Sequence, residues 1–133
     1  MRKKVAVFGS TGSIGLQSLD IISQNPELYE LVAISANTSV DKILEQIKVF
    51  QPLVASLAHD KSRAELERES GTFSTKIMAP VYDEMIEASG AEIVVNALMG
   101  AAGLSITRAT LEKGLRLGLA NKESLIMAGE LVM

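Results

Sequence analysis

The apolar residues of this chain fall into short blocks whose spacing alternates between two periods. Residues 4–9 carry an unbroken apolar run, Val5 to Phe8, which Gly9 cuts off; this predicts a strand buried on both faces. Gly15, Ser18, Leu19 and Ile22 then share one face at helical spacing, predicting a helix over 13–24 that Asn25-Pro26 ends. A second strand is expected over 30–36. Val40, Ile43, Leu44, Ile47 and Phe50 recur at i, i+3, i+4, i+7 and i+10, an amphipathic helix with Ser39 as its cap and Gln51-Pro52 as its end. Further strands are expected over 53–57, 75–79, 92–97 and 115–120. Between them fall a charged helix over 60–70, a helix over 80–89 with Pro80 in its first turn, and a helix over 104–113 stopped by Gly114. A last helix is expected from Asn121 onward.

Strands and helices thus alternate from end to end. That order predicts an α/β fold: a doubly wound, mostly parallel sheet with helices on both faces, Rossmann-like, joined by right-handed crossovers. Ligands of such sheets sit beyond the carboxyl ends of the strands, where the winding direction reverses. The segments at those ends therefore carry the candidate chemistry.

The first is Gly9-Ser10-Thr11-Gly12-Ser13-Ile14-Gly15, between a strand and a helix. Gly9 turns the chain off the strand, Gly12 leaves the backbone open to a pyrophosphate, and Gly15 lets the helix pack tightly on the sheet. The first-turn N–H groups and the positive end of the helix dipole then face an anion, with the hydroxyls of Thr11 and Ser13 as further donors. A glycine turn that binds nothing is the alternative; the strand–loop–helix context favours a nicotinamide dinucleotide. The second segment, Asn37-Thr38-Ser39, lacks the acid that commonly grips the ribose hydroxyls of NAD. The nearest acid is Asp41. Neutral donors without a carboxylate favour NADP over NAD, although the Arg or Lys often used for the 2′-phosphate is absent too. The third, Asn121-Lys122-Glu123-Ser124, follows a buried strand. Asn121 is placed to cap the last helix and Glu123 suits its first turn, whereas Lys122 is a cation where the dipole disfavours one, which calls for a nearby anion or a solvated side chain.

Composition narrows the class. The chain has 133 residues, enough for one domain, with 47% hydrophobic and 22% charged residues and a net charge of −3. No basic excess points to nucleic acid or an anionic membrane, so phosphate must be held by local geometry. There are no cysteines, which excludes disulfides and thiolate chemistry within the chain and fits a cytoplasmic protein. The apolar run after Met1-Arg2-Lys3-Lys4 is shorter than the roughly 7–15 residues of a signal peptide core. The run from Ile93 to Leu104 falls short of the ~20 residues of a membrane span. His59 reads as a surface residue, Glu65, Glu67 and Glu69 as a solvated face, and Met78, Met85 and Met99 as core filling.

Together, the Gly9–Gly15 loop, Gly100-Ala-Ala-Gly-Leu104 and Leu119-Ala-Asn-Lys-Glu-Ser-Leu125 resemble the 1-deoxy-D-xylulose 5-phosphate reductoisomerase family, in the right order and over nearly the whole chain. Asn25-Pro26-Glu27 also fits. The resemblance implies an NADPH-dependent homodimeric enzyme of non-mevalonate isoprenoid biosynthesis. Such an enzyme isomerises a sugar phosphate, 1-deoxy-D-xylulose 5-phosphate, and reduces the product to 2-C-methyl-D-erythritol 4-phosphate with Mg²⁺ or Mn²⁺. By residue, it implies cofactor contacts at Thr11, Gly12, Ser13, Ile14, Asn121 and Glu123, and a substrate contact at Lys122. Asn37, Thr38 and Ser39 stand where the family usually has Gly, then Lys or Arg, then Asn.

The family's metal ligands and C-terminal region lie downstream of its signature. The chain stops at Met133 inside the expected apolar last helix, with no stop signal. Residues 1–133 are therefore expected to be an NADP-binding domain from a longer protein, inactive alone. Two alternatives stay open. A short-chain or extended reductase would normally carry a Tyr-x-x-x-Lys pair, yet Tyr29 is followed by Ala33 and Tyr82 by Ile86. The other is a non-catalytic dinucleotide-binding module.

Overall fold

In the computed structural model, β1 (Lys3–Phe8) runs through the middle of an eight-stranded sheet. The structure describes residues 2–98, 100–120, 125–127 and 130–132. Successive side chains of a strand point to opposite faces. Val5 and Val7 accordingly enter one layer of the core, and Ala6 and Phe8 the other. A strand covered on both sides needs apolar residues at every position, which is what the unbroken run supplies.

β2 (Tyr29–Ala36), β3 (Val54–Leu57) and β4 (Lys76–Ile77) follow outward on one side of β1. β5 (Ile93–Asn96) and β6 (Arg116–Ala120) lie on the other. These six strands pair in parallel. The winding direction reverses between β1 and β5, so the carboxyl ends of these two strands form the switch point. Register between β1 and β2 slips after Val5, which pairs with Leu31 while Ala6 pairs with Ala33; the extra residue, Val32, joins Ala33 in the second core layer.

Five helices are present among the described residues: α1 (Ser13–Gln24), α2 (Val40–Phe50), α3 (Asp60–Glu69), α4 (Tyr82–Ser89) and α5 (Gly100–Glu112). Leu19 and Ile22 of α1, Val40, Ile43 and Ile47 of α2, and Leu66 of α3 pack with Val5, Val7 and Ile34 on one face. Met85 and Ile86 of α4 and Ile106 of α5 pack with Phe8, Val32 and Val94 on the other. Helices therefore cover both faces, as the alternation of elements predicts. None of the described helices is long and apolar enough to cross a membrane.

Several local expectations differ from the structure. Leu125–Met127 and Glu130–Val132 are strands, β7 and β8, added antiparallel beyond β6, where a last helix was expected. Pairing with β7 occupies the N–H and C=O groups that the edge of β6 would otherwise leave open, and short aliphatic runs fit a pleated edge as readily as a helix. α5 begins at Gly100, four residues before the expected start, because tertiary hydrogen bonds from β5 hold its first turns. Pro80 precedes α4 instead of lying in its first turn: Val81 N–H bonds the carbonyl of Ala79 and the helix opens after it. Met85 is fully buried and Met78 packs against the core, whereas Met99 lies outside the described residues.

Candidate cofactor-binding site

The loop from Gly9 to Gly15 leaves β1 at the switch point. Gly9 adopts φ +89°, a left-handed conformation that ordinary side chains resist. Its N–H and that of Ser10 both donate to the carbonyl of Ser35 at the end of β2, at 2.9 and 2.8 Å. That shared acceptor ties the loop to the neighbouring strand. A Cβ on Gly15 would collide with the Gly9 carbonyl and lie 2.7 Å from Ser10 Cα. Gly15 is thus required for packing against the loop's own backbone, where packing on the sheet was expected.

Gly12 is the residue before α1, and no side chain caps the helix. Leu16 N–H reaches Gly12 O at 2.8 Å, and Gly12 N–H reaches Gly9 O at 3.4 Å. The N–H groups of Thr11, Ser13, Ile14 and Gly15 have no hydrogen-bond partner among the described residues. A Cβ on Gly12 would meet only the Gly9 carbonyl, at 3.8 Å, so the space before it is open. Gly12, Ser13 and Ile14 are exposed and Thr11 is half-buried. The first turn of α1 contains no acid to compete with an anion. The result is a row of unpartnered backbone donors at a helix N-terminus, suited to a phosphate group.

Ser10 is buried beneath this row. Its hydroxyl donates to Gln46 Oε1 at 2.6 Å, and Gln46 Nε2 donates to the Ser10 carbonyl at 2.9 Å. Gln46 belongs to the buried face of α2, between Ile43 and Ile47. Sequence reading assigned neither residue a role. The available signal was a lone amide on an otherwise apolar helical stripe.

Asn37, Thr38 and Ser39 follow β2. The register pairs Phe8 with both Ser35 and Asn96, so β1, β2 and β5 end level and these segments share one edge of the sheet. Asn37 and Thr38 are exposed. The Asn37 carbonyl accepts the N–H of His59 at 3.1 Å. Ser39 occupies the N-cap position of α2, but its side chain makes no capping bond, contrary to expectation; its carbonyl instead accepts the N–H of Ile43. Ser39 is one of the residues lining a hollow of about 450 Å³, with Thr38, Asp41, Lys42, Ser62 and Glu65 among the others. His59 is exposed, as expected, and also caps α3 by accepting the Ser62 N–H.

The third strand end is organised by Asn96. Its Nδ2 donates to Gly103 O at 2.7 Å and to Thr107 Oγ1 at 3.0 Å, while its Oδ1 accepts the N–H of Leu98 at 3.1 Å. This side chain fixes the turn from β5 into α5 directly beside Gly9, whose Cβ position lies 3.1 Å from Ala97. Asn121, Lys122 and Glu123 lie outside the described residues. Tyr82 packs edge-on against Phe8, with ring centroids 5.1 Å apart, and burial pushes its hydroxyl pKa up; it belongs to the core. Among the described residues no three His, Asp or Glu side chains converge as a metal site.

A sequence model of 1-deoxy-D-xylulose 5-phosphate reductoisomerase matches residues 5–129. The reductoisomerase of Bacteroides fragilis is 37% identical over 133 residues, covering 98% of this chain and 34% of the relative. That of Anaeromyxobacter is 41% identical over 133 residues, with the same coverage of each. The chain thus spans about a third of the length of the curated relatives it matches. Among solved structures, the Zymomonas mobilis reductoisomerase in complex with NADPH superposes with a TM-score of 0.80 at 34% identity, over 92% of this chain and 33% of that one. A reductoisomerase in complex with NADPH, fosmidomycin and magnesium gives 0.82 at 35% identity, over 91% and 30%. With the family model matched almost end to end, and with the fold shared at this identity, the chain belongs to the 1-deoxy-D-xylulose 5-phosphate reductoisomerase family.

Proposed function

We propose that this chain is the NADPH-binding portion of an enzyme that converts 1-deoxy-D-xylulose 5-phosphate to 2-C-methyl-D-erythritol 4-phosphate. The observation that carries the reading is the row of free N–H groups at Thr11, Ser13 and Ile14, opening on empty space before Gly12 at the switch point of the sheet. A pyrophosphate set there is held by backbone dipoles, the N-terminal field of α1 and the hydroxyls of Thr11 and Ser13. No lysine or arginine lies in the loop. Bound NADPH supplies the hydride that reduces an aldehyde carbon. The chain's residues bind and orient the cofactor that carries it.

At the adenosine end, Asn37, Thr38 and Ser39 offer amide and hydroxyl donors beside the hollow before α2. No acid stands at Asn37, Thr38 or Ser39, which supports NADPH over NADH, because a carboxylate there would repel a 2′-phosphate; farther along the hollow Lys42 stands with the carboxylates of Asp41 and Glu65. Asn121 and Glu123 are proposed cofactor contacts and Lys122 a substrate contact. They follow β6 in sequence, and β6 runs parallel to β5 beside the switch point. Mg²⁺ or Mn²⁺ would be held by residues outside this chain. We therefore propose that residues 1–133 alone do not turn over substrate, and that the working enzyme is a cytoplasmic homodimer acting on a sugar phosphate. The test is fluorescence titration of the full gene product with NADPH and NADH, alongside turnover of the sugar phosphate. Saturable binding that favours NADPH is expected; absence of NADPH binding would overturn the reading.

A further inference from the structure

The phosphate-facing loop does not hold its shape through its glycines alone. Ser10 is fully buried under it, and both of its polar groups beyond the backbone N–H converge on one side chain, Gln46 of α2, which is itself only 7% exposed. The Ser10 carbonyl can only accept, so the Gln46 nitrogen must face it; the Gln46 oxygen then faces the Ser10 hydroxyl, which donates. A second, longer contact takes the hydroxyl towards the Ser35 carbonyl at 3.4 Å. The Ser35 carbonyl also receives the Gly9 and Ser10 N–H groups. Ser35 therefore holds the two peptides that lead into Ser10, and Gln46 holds the one that follows, whose other end is the Thr11 N–H; the N–H groups of Thr11, Ser13 and Ile14 are left without partners among the described residues.

Resting on the cofactor reading above, we infer that Gln46 is a positioning residue for the pyrophosphate of NADPH. It touches no part of the cofactor. It fixes the rotation of the Ser10 peptide and so the direction of the donors that follow. No other side chain on the buried face of α2 can do this: Val40, Ile43 and Ile47 are aliphatic. The same helix begins at the hollow beside Thr38 and Ser39, so one rigid element sets the distance between the pyrophosphate donors and the adenosine end. Dinucleotide binding then depends on Gln46 through the pyrophosphate alone. A ligand confined to the adenosine end is indifferent to it.

The test uses the full gene product and compares Gln46→Met, which fills similar space without hydrogen bonds, with Ser10→Ala, which removes only the hydroxyl limb. Three quantities are read: KM for NADPH, kcat at saturating NADPH, and the inhibition constant of 2′-AMP, which carries the adenosine and its 2′-phosphate but no pyrophosphate. Gln46→Met is expected to raise KM for NADPH about tenfold and Ser10→Ala about threefold, in keeping with the loss of both short hydrogen bonds between Ser10 and Gln46 in the first and of only one of them in the second. In both, kcat and the 2′-AMP constant should stay within about twofold. A role confined to stability would lower kcat through loss of active protein, or weaken 2′-AMP in proportion, and would overturn the inference; so would an unchanged KM in both variants. Failure of the parent reading is separately visible, because the unmodified protein would then show no NADPH turnover.

Discussion

The Cα of Gly15 faces the carbonyl oxygen of Gly9 so closely that no side chain fits between them. Gly12, three residues earlier, faces open space. The two glycines thus serve opposite purposes in one loop, and substitution should separate them. Gly15→Ala forces the first turn of α1 away from the loop and should cost about 3 kcal/mol or more, as overpacking against backbone allows little relief. Gly12→Val should cost no more than about 1 kcal/mol, since its φ of −82° suits any residue and only a weaker N-cap is introduced. It should nevertheless weaken NADPH at least about tenfold, by occupying the space a phosphate must enter. Thermal denaturation and cofactor titration of the two variants check this: Gly12→Val with unchanged affinity would refute the loop assignment.

The two helices of the second layer are joined on their outer side by Lys113, whose ammonium reaches Glu87 at 2.7 Å and Asp83 at 2.9 Å. Hydrogen bonding to Glu87, then to Asp83, raises the lysine pKa above its ordinary value. A group whose pKa is higher in the folded than the unfolded protein adds stability that is complete below the unfolded value. That stability is lost as pH rises through the folded one. Unfolding midpoints should therefore be flat in this respect at neutral pH and decline through the alkaline lysine range. Lys113→Met should remove that part of the decline. Both acids are well exposed, so the effect should be small and should shrink with added salt. Denaturant melts across alkaline pH, for parent and variant, measure it.

How far the chain could be read before its structure was known depended on whether a residue's partner was local. The bounds of α1 and α2 follow from spacing within a dozen residues and match the structure. Gln51, in a left-handed conformation before Pro52, ends α2 where the dipeptide predicts. The start of α5 was missed because what holds it is Asn96, a strand residue bonded across seven and eleven positions. Gln46 was passed over because its partner, Ser10, lies 36 residues away in the loop whose glycines drew attention. Aliphatic spacing also cannot distinguish an edge strand from a helix over three residues, so the pattern predicts a helix where Leu125–Met127 forms a strand. The loop and its donors were legible because strand, glycines and helix are contiguous. The groups that hold the loop in shape are not contiguous with it.

Asn96 offers the sharpest check on the other wall of the switch point. Its side chain makes three hydrogen bonds: two donated, to the Gly103 carbonyl and the Thr107 hydroxyl, and one accepted, from Leu98 N–H. Close packing makes these bonds hard to replace, since a Cβ on Gly103 would already lie 2.5 Å from the Leu98 carbonyl. Asn96→Ala leaves the Leu98 N–H and the Gly103 carbonyl without their partner and should destabilise the protein by about 2–3 kcal/mol. Asn96→Asp keeps the acceptor for Leu98 but sets a carboxylate against the Gly103 carbonyl, so it should rescue little. Hydrogen exchange distinguishes loss of this turn from general weakening. In Asn96→Ala the Leu98 amide should exchange far faster, while amides in the middle of β1 and β2 slow-exchange at rates set only by the fall in global stability. If Leu98 kept its protection in that variant, the turn from β5 into α5 would owe its shape to something other than Asn96.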